Sequence, residues 1–150
     1  MQLLEKRYRQ VALTTVEVSD ELRRGLQAGY GYLENALAQI ETIRSGGWLR
    51  VATPESVAEH QLRVEFDLLL DPGEASCLAL AISRGLILVT DDLAARDLAQ
   101  ERDVRLTGTL GILLALVRDD LLSLEEANVI LAEMIERRYR SPVDRLDGLI

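Results

Sequence analysis

Between residues 70 and 117 the chain alternates between a helical period and short apolar runs, and this constrains the fold more than any other feature. LDPGEASCLALAISRGL reads as a helix over 72–83, with Pro72 at its first position, where a missing N–H costs little, and Gly85 closing it. LILVTDDLAARDLAQ follows: a strand over 86–90, two adjacent acids, then a helix over 93–100. A strand over 104–107 leads through Gly108 and Thr109 into a helix over 110–117. Strand–helix–strand units of this length imply a parallel sheet, because parallel strands need a crossover. The run 86–90 is apolar on both faces, as expected of a central strand covered on both sides. Ligands of such sheets bind beyond the carboxyl ends of the strands, and that edge carries Asp91, Asp92, Thr107, Gly108 and Thr109.

The flanks fit the same α/β pattern. A helix tail reaches residue 9, and a short strand occupies 11–14. Thr14 and Glu17 have the spacing of a capping box for the next helix. An amphipathic helix is expected over 30–44, stopped by Ser45, Gly46 and Gly47. A strand over 48–52 precedes a helix starting at Thr53-Pro54. SLEEANVILAEMIERRYR opens on a Ser123/Glu126 capping box and ends on Arg137, Arg138 and Arg140, which would complement the dipole of a last helical turn. No repeat, low-complexity tract or linker interrupts the chain. One α/β domain over 1–150 is therefore expected, long enough to bury roughly 70% of its unfolded surface.

Composition removes several classes. A lone Cys77 rules out an internal disulfide framework, and its apolar helical setting suits a structural thiol. One cysteine and one histidine, His60, do not supply the nitrogen and sulfur set of a structural zinc site; His60 is expected on a helix surface. No apolar run approaches the ~20 residues of a membrane span, so a soluble, cytoplasmic protein is expected. The net charge of −8, from 25 acids and 17 bases, argues against a broadly nucleic-acid-coating surface, but not against a local grip. All basic residues but Lys6 are arginine, which suits planar gripping of phosphate or carboxylate where they cluster; coding bias is the simpler account.

The acids decide between capping and chemistry. Singly, each has a structural explanation: Glu21 can pair with Arg24, Asp71 and Glu74 fit an N-cap and its N3 partner, and Asp92 can cap the helix after it. A parallel sheet changes this, because helix N-termini and strand C-termini share an edge, so Glu74 and the Asp91/Asp92 pair should converge. Two unit charges ~4 Å apart repel by ~4 kcal/mol at an effective dielectric of about 20. Such a group calls for a proton, an arginine or a divalent cation. All-oxygen donors without His or Cys point to Mg²⁺ or Mn²⁺, and an acid-lined site of that kind commonly serves phosphodiester chemistry.

GEASCLALA, VTDDLAAR and TGTLG, in this order and spacing, resemble the PIN-like family, relatives of the ribonuclease toxins of prokaryotic toxin–antitoxin pairs. LLEKRYRQVALTTVEVSDEL is similar to the family's first helix, second strand and acidic helix, and DLLSLEEANVILAEMIERRYR to its closing helix. The resemblance implies a three-layer α/β/α domain with a short, mostly parallel sheet flanked by helices. It further implies cleavage of single-stranded RNA with Mg²⁺ or Mn²⁺. Glu21, Glu74 and Asp92 match the family's metal-binding acids, with Asp91 as neighbour and substitute. Thr90 and Thr109 match hydroxyls near that edge, and Arg96, or Arg23 with Arg24, would steady the RNA backbone. A cognate antitoxin and a homodimer are the implied protein partners.

One departure stands out. The family's first strand, which carries its first metal-binding Asp, precedes the helix with which this chain starts. Its absence would leave unpaired strand edges and an apolar gap. The start lies upstream, another element or a partner fills the gap, or catalysis has been lost. Two functions are thus carried forward: a metal-dependent ribonuclease, and a catalytically inactive PIN-like module that binds a protein or an RNA. A flavodoxin-like receiver or nucleotide-binding domain, with Asp91 or Asp92 taking phosphate or Mg²⁺, is a more distant third, since no glycine-rich phosphate loop is present.

Overall fold

The structure, a computed structural model, describes residues 2–40 and 46–150. The chain divides into two compact units, Met1–Leu106 and Thr107–Ile150. Among the described residues no helix is long and apolar enough to cross a membrane.

The first unit opens with α1 (Gln2–Tyr8), β1 (Leu13–Thr15) and α2 (Val16–Gln27). Thr15, not Thr14, caps α2 by accepting from the Val18 N–H, and Glu17 pairs with Arg63 instead of completing a capping box. The helix expected over 30–44 is cut short. A 3₁₀ turn (Gly31–Leu33) and a single α-turn, α3 (Glu34–Leu37), are followed by a bridge of Ile40 with Leu49. The cause is tertiary: Leu49 N–H donates to the Gln39 carbonyl at 2.8 Å and Trp48 Nε1–H to Gln39 Oε1 at 2.9 Å. The rest of that expected helix, residues 41–45, lies outside the described residues. β2 (Arg50–Ala52) runs parallel to β1, with Leu13 opposite Arg50 and Thr15 opposite Ala52.

α4 (Val57–Phe66) starts three residues later than Thr53-Pro54 suggested, because Ser56 and Glu59 form a capping box. α5 (Pro72–Arg84), β3 (Leu88–Val89), α6 (Leu93–Glu101) and β4 (Leu106–Thr107) follow in the expected order. The four strands make two separate two-stranded sheets, β1 with β2 and β3 with β4. α5 packs against both β1 and β3 and most extensively against α4. The core gathers on it: Phe66, Ala75, Leu78, Ala79 and Ala81 with Leu88 and Ala99. His60 is exposed on α4. Cys77 faces the packed side, where burial pushes its thiol upward. The double cover expected of β3 is absent. Leu88 enters the core, but Ile87 and Val89 are 52% and 56% exposed, as strand alternation requires once only one face is packed.

The second unit pairs α7 (Thr109–Arg118) with α8 (Leu124–Glu136) around Leu113, Ala127, Leu131 and Leu146. Ser123 and Glu126 form the expected capping box. Asn128 ties down the C-terminal segment, accepting from Leu146 N–H at 2.8 Å and donating to Asp147 at 3.0 Å.

Helices α5 to α8 end alike. The residue that closes each end has positive φ: Gly85, Asp103, Asp120 and Arg138. The next N–H, from Leu86, Val104, Leu121 or Tyr139, bonds five residues back. This is the Schellman closure, which satisfies the last carbonyls and buries an apolar residue beyond them.

Candidate active site

The N-terminus of α5 is anchored before any acid is considered. Ser76 Oγ donates to the Gly73 carbonyl at 2.8 Å and lies 2.7 Å from Thr15 Oγ1, joining α5 to the start of α2 through a buried hydroxyl pair. Glu21, less than two turns into α2, therefore meets the first turn of α5. Its Oε1 accepts from the Gly73 N–H at 2.8 Å, one of the orphan donors of a helix N-terminus. The expected pairing of Glu21 with Arg24 is not what holds it. The fit is close: a Cβ on Gly73 would stand 2.5 Å from Glu21 Oε2.

Glu74 comes next. Its Oε2 is buried and has no hydrogen-bond partner. Burial pushes its carboxyl above the ordinary range, and the charges of Glu21, Asp71 and Asp92 push the same way against its own backbone N–H. Asp71 occupies the N-cap position of α5, yet its side chain makes no capping bond. The capping explanation thus fails for Asp71 and Glu74. It holds for Asp92, whose Oδ1 accepts from the Ala95 N–H at 2.8 Å while its own N–H donates to Thr90 Oγ1 at 3.1 Å.

Asp67, Asp71, Glu74 and Asp92 line one cleft of about 320 Å³, with Leu68, Leu69 and Leu70 along its wall. Leu68 is 84% exposed there. Asp71 has the sequence position of a cap, and Asp67, which also accepts from Arg63 Nε at 2.8 Å, joins it in the cleft. Asp67 carried no local signal. Asp91 is exposed and does not line this cleft. Arg96 Nη1 donates to the Thr90 carbonyl at 2.9 Å, which fixes the turn between β3 and α6. Arg23 pairs with Asp20 on the outer face of α2, and Arg24 is exposed. Thr109 begins α7 in the second unit.

The donor set is entirely carboxylate, as a hard divalent cation prefers. Glu74 Oε2 is an orphaned buried oxygen, while Glu21 and Asp92 each keep a second oxygen beyond their backbone bonds. Chemically these residues fit Mg²⁺ or Mn²⁺. Their arrangement is looser: among the described residues, no three acids are gathered closely enough to hold one ion together.

A family model described as a PIN domain matches residues 1–150. The chain belongs to the PIN domain family. No curated protein and no solved structure matches it significantly. PIN domains are generally nucleases and typically use divalent metals, so the acidic cleft lies in a nuclease-type fold.

Proposed function

We propose that the protein is a Mg²⁺- or Mn²⁺-dependent endoribonuclease that cuts single-stranded RNA at the cleft of Asp71, Glu74 and Asp92, with Glu21 behind it. The observation that carries this reading is Glu74, whose buried, unpartnered carboxylate oxygen is held under the charge of three other acids. A site without a cationic ligand has no use for that arrangement, since it costs stability. Bound there, a divalent cation supplies Lewis-acid stabilisation of phosphate charge. The chain's own contribution is orientation. The Gly73 N–H fixes Glu21 and the Ala95 N–H fixes Asp92. The family resemblance further supports a toxin acting beside a cognate antitoxin, and a homodimer. The exposed Leu68 and Leu69 at the cleft offer such a partner an apolar foothold.

A second reading, a non-catalytic module that binds protein or RNA, is favoured by the absence of any three-acid cluster among the described residues. Cleavage of a labelled single-stranded RNA with Mn²⁺, with EDTA, and by Asp92→Asn separates the two. Asparagine caps helices as well as aspartate, so the substitution removes charge and leaves α6 intact. The nuclease reading expects cleavage lost in EDTA and reduced by roughly a hundredfold or more in the variant. No cleavage by the folded parent chain, or equal cleavage by Asp92→Asn, supports the second reading instead.

A further inference from the structure

Arg137, Arg138 and Arg140 lie together where α8 ends, and the dipole explanation covers them poorly. The helix stops at Glu136 and its last turn contains no basic residue; Arg137 is the cap and the other two lie beyond it. All three are exposed, and no carboxylate among the described residues pairs with them. Among the other described arginines, Arg9, Arg23, Arg63, Arg84, Arg102 and Arg145 each hold an acid, and Arg50, Arg96 and Arg105 donate to backbone carbonyls. The similar KRYR at 6–9 is already engaged, with Arg9 on Glu5 and Arg7 over the Tyr8 ring.

Backbone geometry singles out the same place. The same Schellman closure ends α2 at Gly29, so four of the five put Gly or Asp at the left-handed position, residues that adopt it readily. The fifth puts Arg138 there, with φ 73°. Its N–H bonds to the Ile135 carbonyl and that of Tyr139 to the Met134 carbonyl, both at 2.9 Å. Tyr139 packs against the core of the second unit, so the turn is held at its root. Glycine would be the more stable occupant. An arginine kept there at a conformational cost, between two other unpaired arginines, is explained by what its guanidinium binds.

We propose that Arg137, Arg138 and Arg140 form a phosphate grip for the sugar–phosphate backbone of RNA, carried by the second unit. The guanidinium fork matches phosphate oxygens in bidentate geometry, and a chain of net charge −8 needs a local basic surface to hold a polyanion. The choice of RNA over an acidic protein rests on the nuclease reading; the test does not require cleavage.

Binding of a fluorescent single-stranded oligoribonucleotide is followed by anisotropy in EDTA at several salt concentrations. The parent is compared with Arg138→Gly and with Arg137→Ala/Arg138→Gly/Arg140→Ala, in which glycine preserves the turn. The triple variant should bind about tenfold or more weakly, with a log–log salt slope shallower by about 2. Arg138→Gly alone should bind several-fold more weakly while its Tm rises by a few degrees. Parent-like affinity and slope in the triple variant, or no RNA binding by the parent, would overturn the grip. So would loss of binding to a labelled polyglutamate peptide with RNA binding intact, which assigns the patch to an acidic protein. Because no divalent ion is present, failure of the nuclease reading leaves this result interpretable.

Discussion

Glu74 combines burial, an unpartnered oxygen and three acidic neighbours, so its charge is a cost to the apo fold. A carboxyl whose folded pKa is raised gives stability below its unfolded value and loses it as the pH rises through the folded one. Above that folded value the charge is a cost, and Glu74→Gln should raise the Tm in EDTA by about a few degrees. Mn²⁺ should then raise the Tm of the parent and leave that of the variant unmoved. Calorimetry checks both; a less stable variant, or an equal Mn²⁺ response, would place the ion elsewhere. The sequence makes Glu74 and Asp92 visible through DPGE and TDD, because both patterns are local. It does not reveal what holds Glu21: that partner is an amide 52 positions away, and no periodicity encodes it. Asp71 was misleading for the opposite reason. It occupies a capping position without making the bond.

At the scale of elements, the legible parts are those closed by their own short-range bonds. α6 and α8 carry side-chain caps, α5 has Pro72 at its first position, all three have Schellman ends, and their positions follow from the sequence. The helical pattern over 30–44 is overridden because Gln39 gives its carbonyl and its side chain to Leu49 and Trp48. The junction of α4 and α5 is tied by Glu59, 4% exposed, which accepts from Arg84 Nε at 2.7 Å. The Arg84 hydrogen bond, with the Glu55 and Ser56 N–H groups, holds its carboxyl down at about 2 from an ordinary 4.5. Because that pKa is lowered on folding, its stabilisation is complete above about pH 4.5 and is lost as the pH falls toward 2. Glu59→Gln should therefore flatten the fall in Tm over that acid range and lower the Tm at neutral pH. A Tm-versus-pH curve parallel to the parent's would refute this.

At the scale of the molecule, the described residues form two cores with no member in common, one on α5 and one between α7 and α8. Each can therefore be weakened by itself. Leu131 is fully buried in the second, and Leu131→Ala should cost about 2–5 kcal/mol through lost burial and the cavity left behind. Hydrogen exchange should then accelerate over α7 and α8 more than over α5, and Leu78→Ala in the first core should do the reverse. Uniform acceleration in both variants would mean that the units unfold as one. Within the one domain expected over 1–150, the limit between the two units was not legible in the sequence. Boundaries of this kind follow from which side chains pack together, and no composition shift marks them.

The seat of Glu21 against Gly73 constrains how this protein can change. A methyl at position 73 and a full-length glutamate at position 21 compete for the same space. Substitutions at the two positions should be inherited as a pair. Alanine at 73 makes the Glu21 carboxylate swing off the Gly73 N–H, so the single change gives up the bond that seats the acid, and a shorter aspartate at 21 is the partner change that makes room.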